Sequence, residues 1–231
     1  MLCCRRISRY VRESSSPPAQ NNLGEFALPE ADPTMQILHP FTGSVAEYLT
    51  QLDDPDRYRP HQCPQCPSKQ PLAAHGFYVR TLIDAAFDGW IRVRRYLCEA
   101  CRRTVSLLPE FALPYLRSSI TVIALFLMTR LLLGKTLQEA LPPASPYQRG
   151  QSWVRRFRAQ AEPLSAALSA LTDPPPAQDF VTRALTMLHA AGWIPAHRFL
   201  FTAVRQHLLG WSRCLIPDGR RVTIPPAAAP A

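Results

Sequence analysis

An α+β protein is predicted by three features of the sequence. Two C-x-x-C pairs, Cys63-Pro64-Gln65-Cys66 and Cys98-Glu99-Ala100-Cys101, are separated by 31 residues. Between them lie two runs of β-branched and aromatic residues, His75 to Ile83 and Trp90 to Leu97, with the composition of strands. From residue 113 onward the apolar residues recur at helical spacing, and serine, glycine and proline stand at the ends of each repeat, as helix boundaries require. The expected architecture is therefore a small β unit closed by four cysteines, followed by a mostly helical region.

Zn²⁺ takes four thiolates tetrahedrally, and a C-x-x-C turn brings two sulfurs onto one ion while a second turn closes the site. Cys63, Cys66, Cys98 and Cys101 are thus the candidate ligands, and Zn²⁺ the expected cofactor, in a β zinc ribbon. The intervening loop exceeds the common 15–20 residues, so it has to carry its own structure. Asp88-Gly89 predicts the turn of a hairpin, and Thr104 to Leu108 predicts a third strand. Two other readings of the cysteines carry less. A disulfide framework belongs to an oxidising compartment, whereas the chain shows no apolar signal core with a small-residue cleavage site, which predicts a cytoplasmic location. A redox C-x-x-C would not need two copies.

Proline, at 24 residues against 9 glycines, clusters at 17–18, 142–143, 174–176 and 225–226, marking linkers rather than element interiors. The resulting division is a disordered segment over 1–36, a short helix plus ribbon over 37–112, a helix-turn-helix over 113–162, C-terminal helices over 163–216 and a flexible tail over 217–231. Cys3, Cys4 and Cys214 fit no ligand pattern. Net charge is +9, and residues 61–160 hold 14 Lys+Arg against 5 Asp+Glu. Such a basic concentration is the electrostatic footprint of a polyanion binder. The longest apolar run, Ile120 to Leu133, has 14 residues, short of the roughly 20 that a bilayer needs, so no membrane partner is expected.

Ser44-Val45-Ala46-Glu47 is a capping box ahead of an apolar repeat, predicting a helix from Val45 to Leu52 that packs on the ribbon through Val45, Tyr48, Leu49 and Leu52. Ser118-Ser119 predicts the start of a helix over Ile120 to Leu133, with Gly134 as its C-cap. Lys135 to Leu141 predicts a short second helix, stopped by Pro142-Pro143. Ser145-Pro146 predicts the start of a third, Tyr147 to about Gln160. At 100° per residue Tyr147, Gly150, Val154, Phe157 and Ala161 fall on one side of it, with Trp153 at the margin. Gln148, Arg149, Ser152, Arg155 and Arg156 fall on the other, and these side chains can reach phosphates and base edges. Long helix, short helix and basic amphipathic helix is the order of a helix-turn-helix; an ordinary bundle with a solvated basic face fits the local pattern equally well. Beyond Glu162-Pro163 the sequence predicts an alanine-rich helix to about Leu171, then Phe180 to Ala191 and His197 to Leu209, with Gly192 and Gly210 as caps. His189, His197 and His207 read as partly buried helix residues.

The order C-P-x-C, H-G-x-Y-x-R over His75 to Arg80, I-R-V-R-R-Y-x-C-x-x-C over Ile91 to Cys101, and R-T-x-S-L-L-P over Arg103 to Pro109 resembles the zinc-ribbon regions of bacterial insertion-sequence transposases. It is similar above all to small transposase-associated proteins of unknown function in which a ribbon precedes a helix-turn-helix. The resemblance covers about residues 37–160. It implies binding of double-stranded DNA, with a transposase or a second copy of the chain as further candidate partners. Pro67 and Arg102 depart from the pattern by standing where a glycine often follows each cysteine pair.

Transposases cut DNA with carboxylates that hold two metal ions. After residue 110 the only acids are Glu139, Glu162, Asp173, Asp179 and Asp218, all in or near predicted helices and loops. The expectation is accordingly a non-catalytic DNA-binding protein, with Arg92, Arg94, Arg155 and Arg156 on phosphates and Gln148, Arg149 and Ser152 completing the contact set. A protein-interaction module using Tyr78, Trp90 and Tyr96 is the alternative, and a remnant transposase or nuclease the third.

Overall fold

The computed structural model describes residues 35–210 apart from 40, 42, 52, 53, 55, 56 and 144. The expectations for residues 1–34, Leu52, Cys3, Cys4, Cys214 and the tail lie outside the described residues. Within them the chain is a mixed α+β structure with a four-stranded sheet and six helices.

Strands β2 (Ala73–Asp84) and β3 (Phe87–Leu97) form the expected hairpin. Its turn differs from expectation. Asp84 pairs with Phe87, so Ala85-Ala86 make the reversal, while Asp88 and Gly89 lie within β3 opposite Ile83 and Leu82. The alternation of Leu82, Ile91 and Val93 onto one buried face decides the register, because a one-residue slip would turn all of them to solvent. Strand β4 (Thr104–Pro109) pairs antiparallel with β3. Strand β1 (Met35–His39) adds to the outer edge of β4 in parallel, which gives the order β1-β4-β3-β2. The sequence predicts an ordered chain only from residue 37 and no strand there.

Helix α1 (Val45–Gln51) starts at the predicted capping box: the Ser44 amide donates to Glu47 Oε2 at 2.5 Å and the Glu47 amide to Ser44 Oγ at 3.2 Å. Val45 and Tyr48 bury against Leu82, Ile91, Val93 and Leu108, and the Tyr48 hydroxyl donates to the Arg92 carbonyl at 2.8 Å. The expected packing of this helix on the sheet is therefore present.

Ser119 caps α2 (Ile120–Leu127) by accepting from the Val122 amide. The helix continues as a π-helical turn over Met128–Leu132, and Gly134 ends it at φ +67°, a left-handed conformation that glycine adopts without a Cβ penalty. One turn of helix, α3 (Leu137–Ala140), has its own capping box between Thr136 and Glu139. Helix α4 runs over Tyr147–Leu168 with Pro163 inside it, so the break expected at Glu162-Pro163 does not occur. Proline removes one backbone bond to the preceding turn, but Ala161, Leu164 and Leu168 on both sides of it are buried in the helical core, and that packing carries the helix through.

Helix α5 (Phe180–Ala191) ends at Gly192 as expected, and its start is capped by Asp179, not among the predicted caps, which accepts from the Thr182 amide. Helix α6 spans Trp193–Phe199, continues as a π-helical turn over Leu200–Val204 and ends at Arg205, φ 58°. It thus starts and stops several residues before the predicted His197 to Leu209 helix.

The helical core draws on α2, α4, α5, α6 and the segment to Leu209, so residues on both sides of the predicted boundary at 162 share it. Several links join the sheet to these helices. The Arg80 guanidinium donates to the carbonyls of Leu113 and Leu116. Residues 117–119 lie along Ile83, through the Ile83 amide to Arg117 O and the Ser119 amide to Ile83 O. Buried Glu110 accepts two bonds from Arg198 of α6.

Candidate metal centre and basic helical face

Cys63 and Cys66 sit in the loop ahead of β2, and Cys98 and Cys101 in the turn between β3 and β4. Pairing of β2 with β3 brings the two turns together at one end of the hairpin, because Ala73 lies opposite Leu97. The four sulfurs lie within 4.8 Å of one another and could hold a metal ion. Cys63 Sγ is 3.8 Å from Cys101 Sγ, and Cys66 Sγ is 3.6 Å from Cys98 Sγ. A tetrahedral ion with bonds of about 2.3 Å to sulfur sets its ligands about 3.8 Å apart, so the spacing fits zinc, whereas a disulfide needs about 2.05 Å.

Cys63 and Cys98 are buried with Leu72, Tyr96, Val105 and Leu107. The second turn is fastened by the Arg102 amide to Cys98 O at 2.8 Å and the Cys98 amide to Arg103 O at 2.9 Å. Arg102 holds the left-handed conformation, φ 59°, at the position where the sequence departs from glycine. Arg103 Nη1 donates to Gln65 Oε1 at 3.2 Å, tying one cysteine turn to the other.

The electrostatics of the centre favour a cation. A bond from the Cys101 amide draws the Cys98 thiol down to about 7. For Cys66 the Ser68 amide helps the thiolate, but partial burial and bonds from the other three sulfurs outweigh it and push the thiol up to about 12. Four thiols this close cannot all ionise alone. A divalent ion supplies the missing charge and lets every sulfur act as a thiolate.

The second region is α4. Gly150, Trp153, Phe157 and Ala161 face the core. Trp153, expected at the margin, is fully inside, its ring 5.2 Å from that of Phe126 and edge-on to it. Tyr147, expected inside, is 46% exposed. The helix is rotated from the predicted facing, so that the buried side runs through Trp153, Phe157 and Leu164, and Gly150 packs tightly against α2 and α3. A Cβ there would come within 2.9 Å of Leu141 Cδ2, 3.1 Å of Phe126 Cζ and 3.2 Å of Leu137 Cδ2, so the glycine sets the approach.

On the outer side Gln148 and Arg155 are exposed and Arg149 and Ser152 half-buried. Gln148, Ser152 and Arg155 line an open cleft together with Arg130, Gln151 and Arg158, and among the described residues no carboxylate lines it. Arg149 and Arg156 lie on a neighbouring groove with Arg117. Arg156 is otherwise engaged: Nε donates to Leu209 O at 2.8 Å and Nη2 to Gly210 O at 2.5 Å. It holds the segment after α6 against α4. Arg130 lies on a different element, and Gln151 and Arg158 are hidden from the sequence because at 100° per residue they fall beside Tyr147, on the side predicted to face inward.

Arg92 and Arg94 lie on β3, away from α4. Their guanidinium carbons sit 4.2 Å and 4.7 Å from the Phe77 ring centre. The alternative contact face of Tyr78, Trp90 and Tyr96 does not assemble. Tyr96 is wholly buried beside the cysteines, Tyr78 lies on the opposite face of the sheet, and only Trp90 is exposed.

Residues 63–139 match the family model described as Domain of unknown function (DUF6431). That match starts at the first cysteine of the cluster and ends in α3. No curated protein and no solved structure matches the chain. No helix among the described residues is long and apolar enough to cross a membrane.

Proposed function

We propose that the chain is a non-catalytic DNA-binding protein. In this reading the four cysteines hold one structural Zn²⁺ in a zinc ribbon, and α2, α3 and α4 act as a helix-turn-helix, with α4 the helix that enters the major groove. The observation that carries it is the acid-free cleft along the exposed side of α4, where Arg130, Arg155 and Arg158 surround Gln148, Gln151 and Ser152. Arginine and glutamine are the side chains that read guanine and adenine edges, and arginine also neutralises phosphates. The chain's net charge of +9 adds a long-range attraction to a polyanion.

Zinc supplies folding energy and charge balance at the thiolates; a closed set of four sulfurs leaves no position for an activated water, so the site is structural in kind. Each residue then has a role. Gly150 sets the approach of α4 to α2 and α3, Trp153 and Phe157 fix its rotation, and Arg156 secures the chain behind it. Arg155 is left for the nucleic acid, and Arg158, whose charge also acts on Asp179, lines the same cleft. The resemblance to proteins associated with insertion sequences supports DNA as the polyanion and suggests a mobile-element setting.

The test is binding of the metal-loaded chain to labelled duplex DNA between 50 and 200 mM salt, read by fluorescence anisotropy. Phosphate contacts from Arg130, Arg155 and Arg158 predict that affinity falls with salt at a log-log slope of about −2.7. Arg155→Ala should lower affinity and shift that slope toward zero by about one. A slope near zero, or an Arg155→Ala variant with unchanged binding, would refute this reading.

A further inference from the structure

The helical reading leaves unexplained the face of the hairpin that turns away from the Leu82, Ile91 and Val93 core. There the register sets Thr81 opposite Trp90, Val79 opposite Arg92 and Phe77 opposite Arg94. Trp90 is 66% exposed and Val79 56%, and Arg92 is exposed as well. Both guanidinium groups lie against the Phe77 ring, and Arg94 also lies 5.3 Å from the centre of Tyr96, where this face meets the cysteine turns. Asp88, at the tip, is the one acid that the register puts on this face of β2 and β3.

An exposed indole beside a valine is an unfavourable surface unless something covers it, and the charges that β2 and β3 place on this face, Arg92 and Arg94 against Asp88, sum to positive. A strand of unpaired nucleotides meets both features together: bases stack on rings and on guanidinium planes, and phosphates take the arginine N–H groups. Spacing agrees. Same-face neighbours on a strand lie about 6.8 Å apart, twice the roughly 3.4 Å per nucleotide of a stacked strand. That leaves room for a side chain to slot between successive bases, which a stacked duplex does not offer.

We propose that the exposed hairpin face centred on Trp90 and Arg92 binds single-stranded nucleic acid, with unpaired bases stacked on the Trp90 indole and on the guanidinium groups that cover Phe77. This site is separate from α4 and does not depend on the duplex reading.

The experiment measures anisotropy of labelled 12-residue oligothymidylate, 12-residue oligouridylate and a blunt duplex with the metal-loaded chain. Trp90→Ala should weaken oligothymidylate binding roughly 5- to 150-fold, the range of one stacking contact, while Trp90→Phe should stay near the parent. Arg92→Ala should weaken it too, and Arg155→Ala should leave it within twofold. Binding of oligouridylate as tight as oligothymidylate identifies any unpaired strand as the ligand, and a clear preference for one identifies that strand. Trp90 is exposed, so circular dichroism and metal content of Trp90→Ala should match the parent. Should that variant misfold, Arg92→Ala alone decides. No oligonucleotide binding, or binding indifferent to both substitutions, overturns the proposal and leaves the face to a protein partner.

Discussion

Acidification should destabilise the helical half through two histidines, and by an amount that can be worked out. His197, on α6, is 0% exposed, and among the described residues neither of its ring nitrogens has a hydrogen-bond partner. His207 is 2% exposed; its Nε2 lies 3.3 Å from the Pro114 carbonyl, and its Nδ1 accepts from the Leu209 amide at 3.1 Å. Burial, then the neighbouring His207, lowers His197 to about 3. Burial, then the positive charge of Arg156, lowers His207 to about 4, against a small opposing effect of the Pro114 carbonyl.

Both values lie below the unfolded value of about 6.5. The folded state therefore stays neutral at pH 5 while the unfolded state takes up protons. Stability from these groups is complete above about pH 6.5 and is lost as pH falls from there toward the folded values. At pH 5 the unfolded chain gains about 2 kcal/mol per histidine, or about 4 kcal/mol for the pair, from 1.36 kcal/mol per pH unit over 1.5 units. That is a large part of the 5–15 kcal/mol of a typical domain.

Thiolates of the metal centre also take up protons in acid, so the diagnostic quantity is a difference. Urea unfolding of the metal-loaded chain at pH 7.5 and pH 5.0 should show a loss that is smaller by about 2 kcal/mol in His197→Leu than in the parent. Leucine removes the titration and places an apolar side chain beside Phe201, whose ring centre lies 5.8 Å from that of the histidine. An identical loss in parent and variant would refute the burial argument for His197.

Three further outcomes follow from the packing. Cys98→Ser should abolish binding of one Zn²⁺ per chain, measured by elemental analysis, and should remove hydrogen-exchange protection from β2 and β3, since structural zinc contributes about 10–16 kcal/mol of apparent binding energy. Arg156→Ala should lower stability by about 1–2 kcal/mol in denaturant melts through loss of its two partly exposed bonds to Leu209 and Gly210, whereas Arg155→Ala should lie within about 0.5 kcal/mol of the parent; equal costs would contradict the facing of α4. Gly150→Val should cost about 2–3 kcal/mol by thermal melt, because the added carbons meet Leu141, Phe126 and Leu137 at the closest approach of α4 to its neighbours.

Much of this was legible in the sequence because it is local. Ser44 with Glu47, Ser119 with Val122, and Gly192 announce helix ends within a few residues of the chain, and the C-x-x-C spacing announces the cluster. The parts that were misread depend on distant partners. Asp88-Gly89 is a good turn sequence, yet burial of Leu82, Ile91 and Val93 sets the reversal at Ala85-Ala86. Pro163 is a good helix breaker, yet the packed residues around it keep α4 whole. Arg156 looks like its neighbour Arg155 in sequence, and only the return of the chain at Leu209 and Gly210 distinguishes them. The Glu110–Arg198 pair spans 88 positions and has no periodic signal at all.

The order in which the sheet can assemble follows from its pairing. The β2–β3 hairpin closes between Asp84 and Phe87, and β4 joins across the short cysteine turn. Strand β1 instead meets β4 with Met35 opposite Val105, 70 positions away. Loop closure over that distance costs more entropy than closing a two-residue turn, and contacts of long sequence separation form late. The earliest of the described strands in the chain is thus the last to find its place. Until it arrives, β4 presents an unpaired backbone edge that a strand from another chain could occupy. Amides of Ile37 and Leu38 should accordingly exchange sooner than those of Val93 or Ile91, and a synthetic peptide of the β1 sequence should compete for the same edge during refolding.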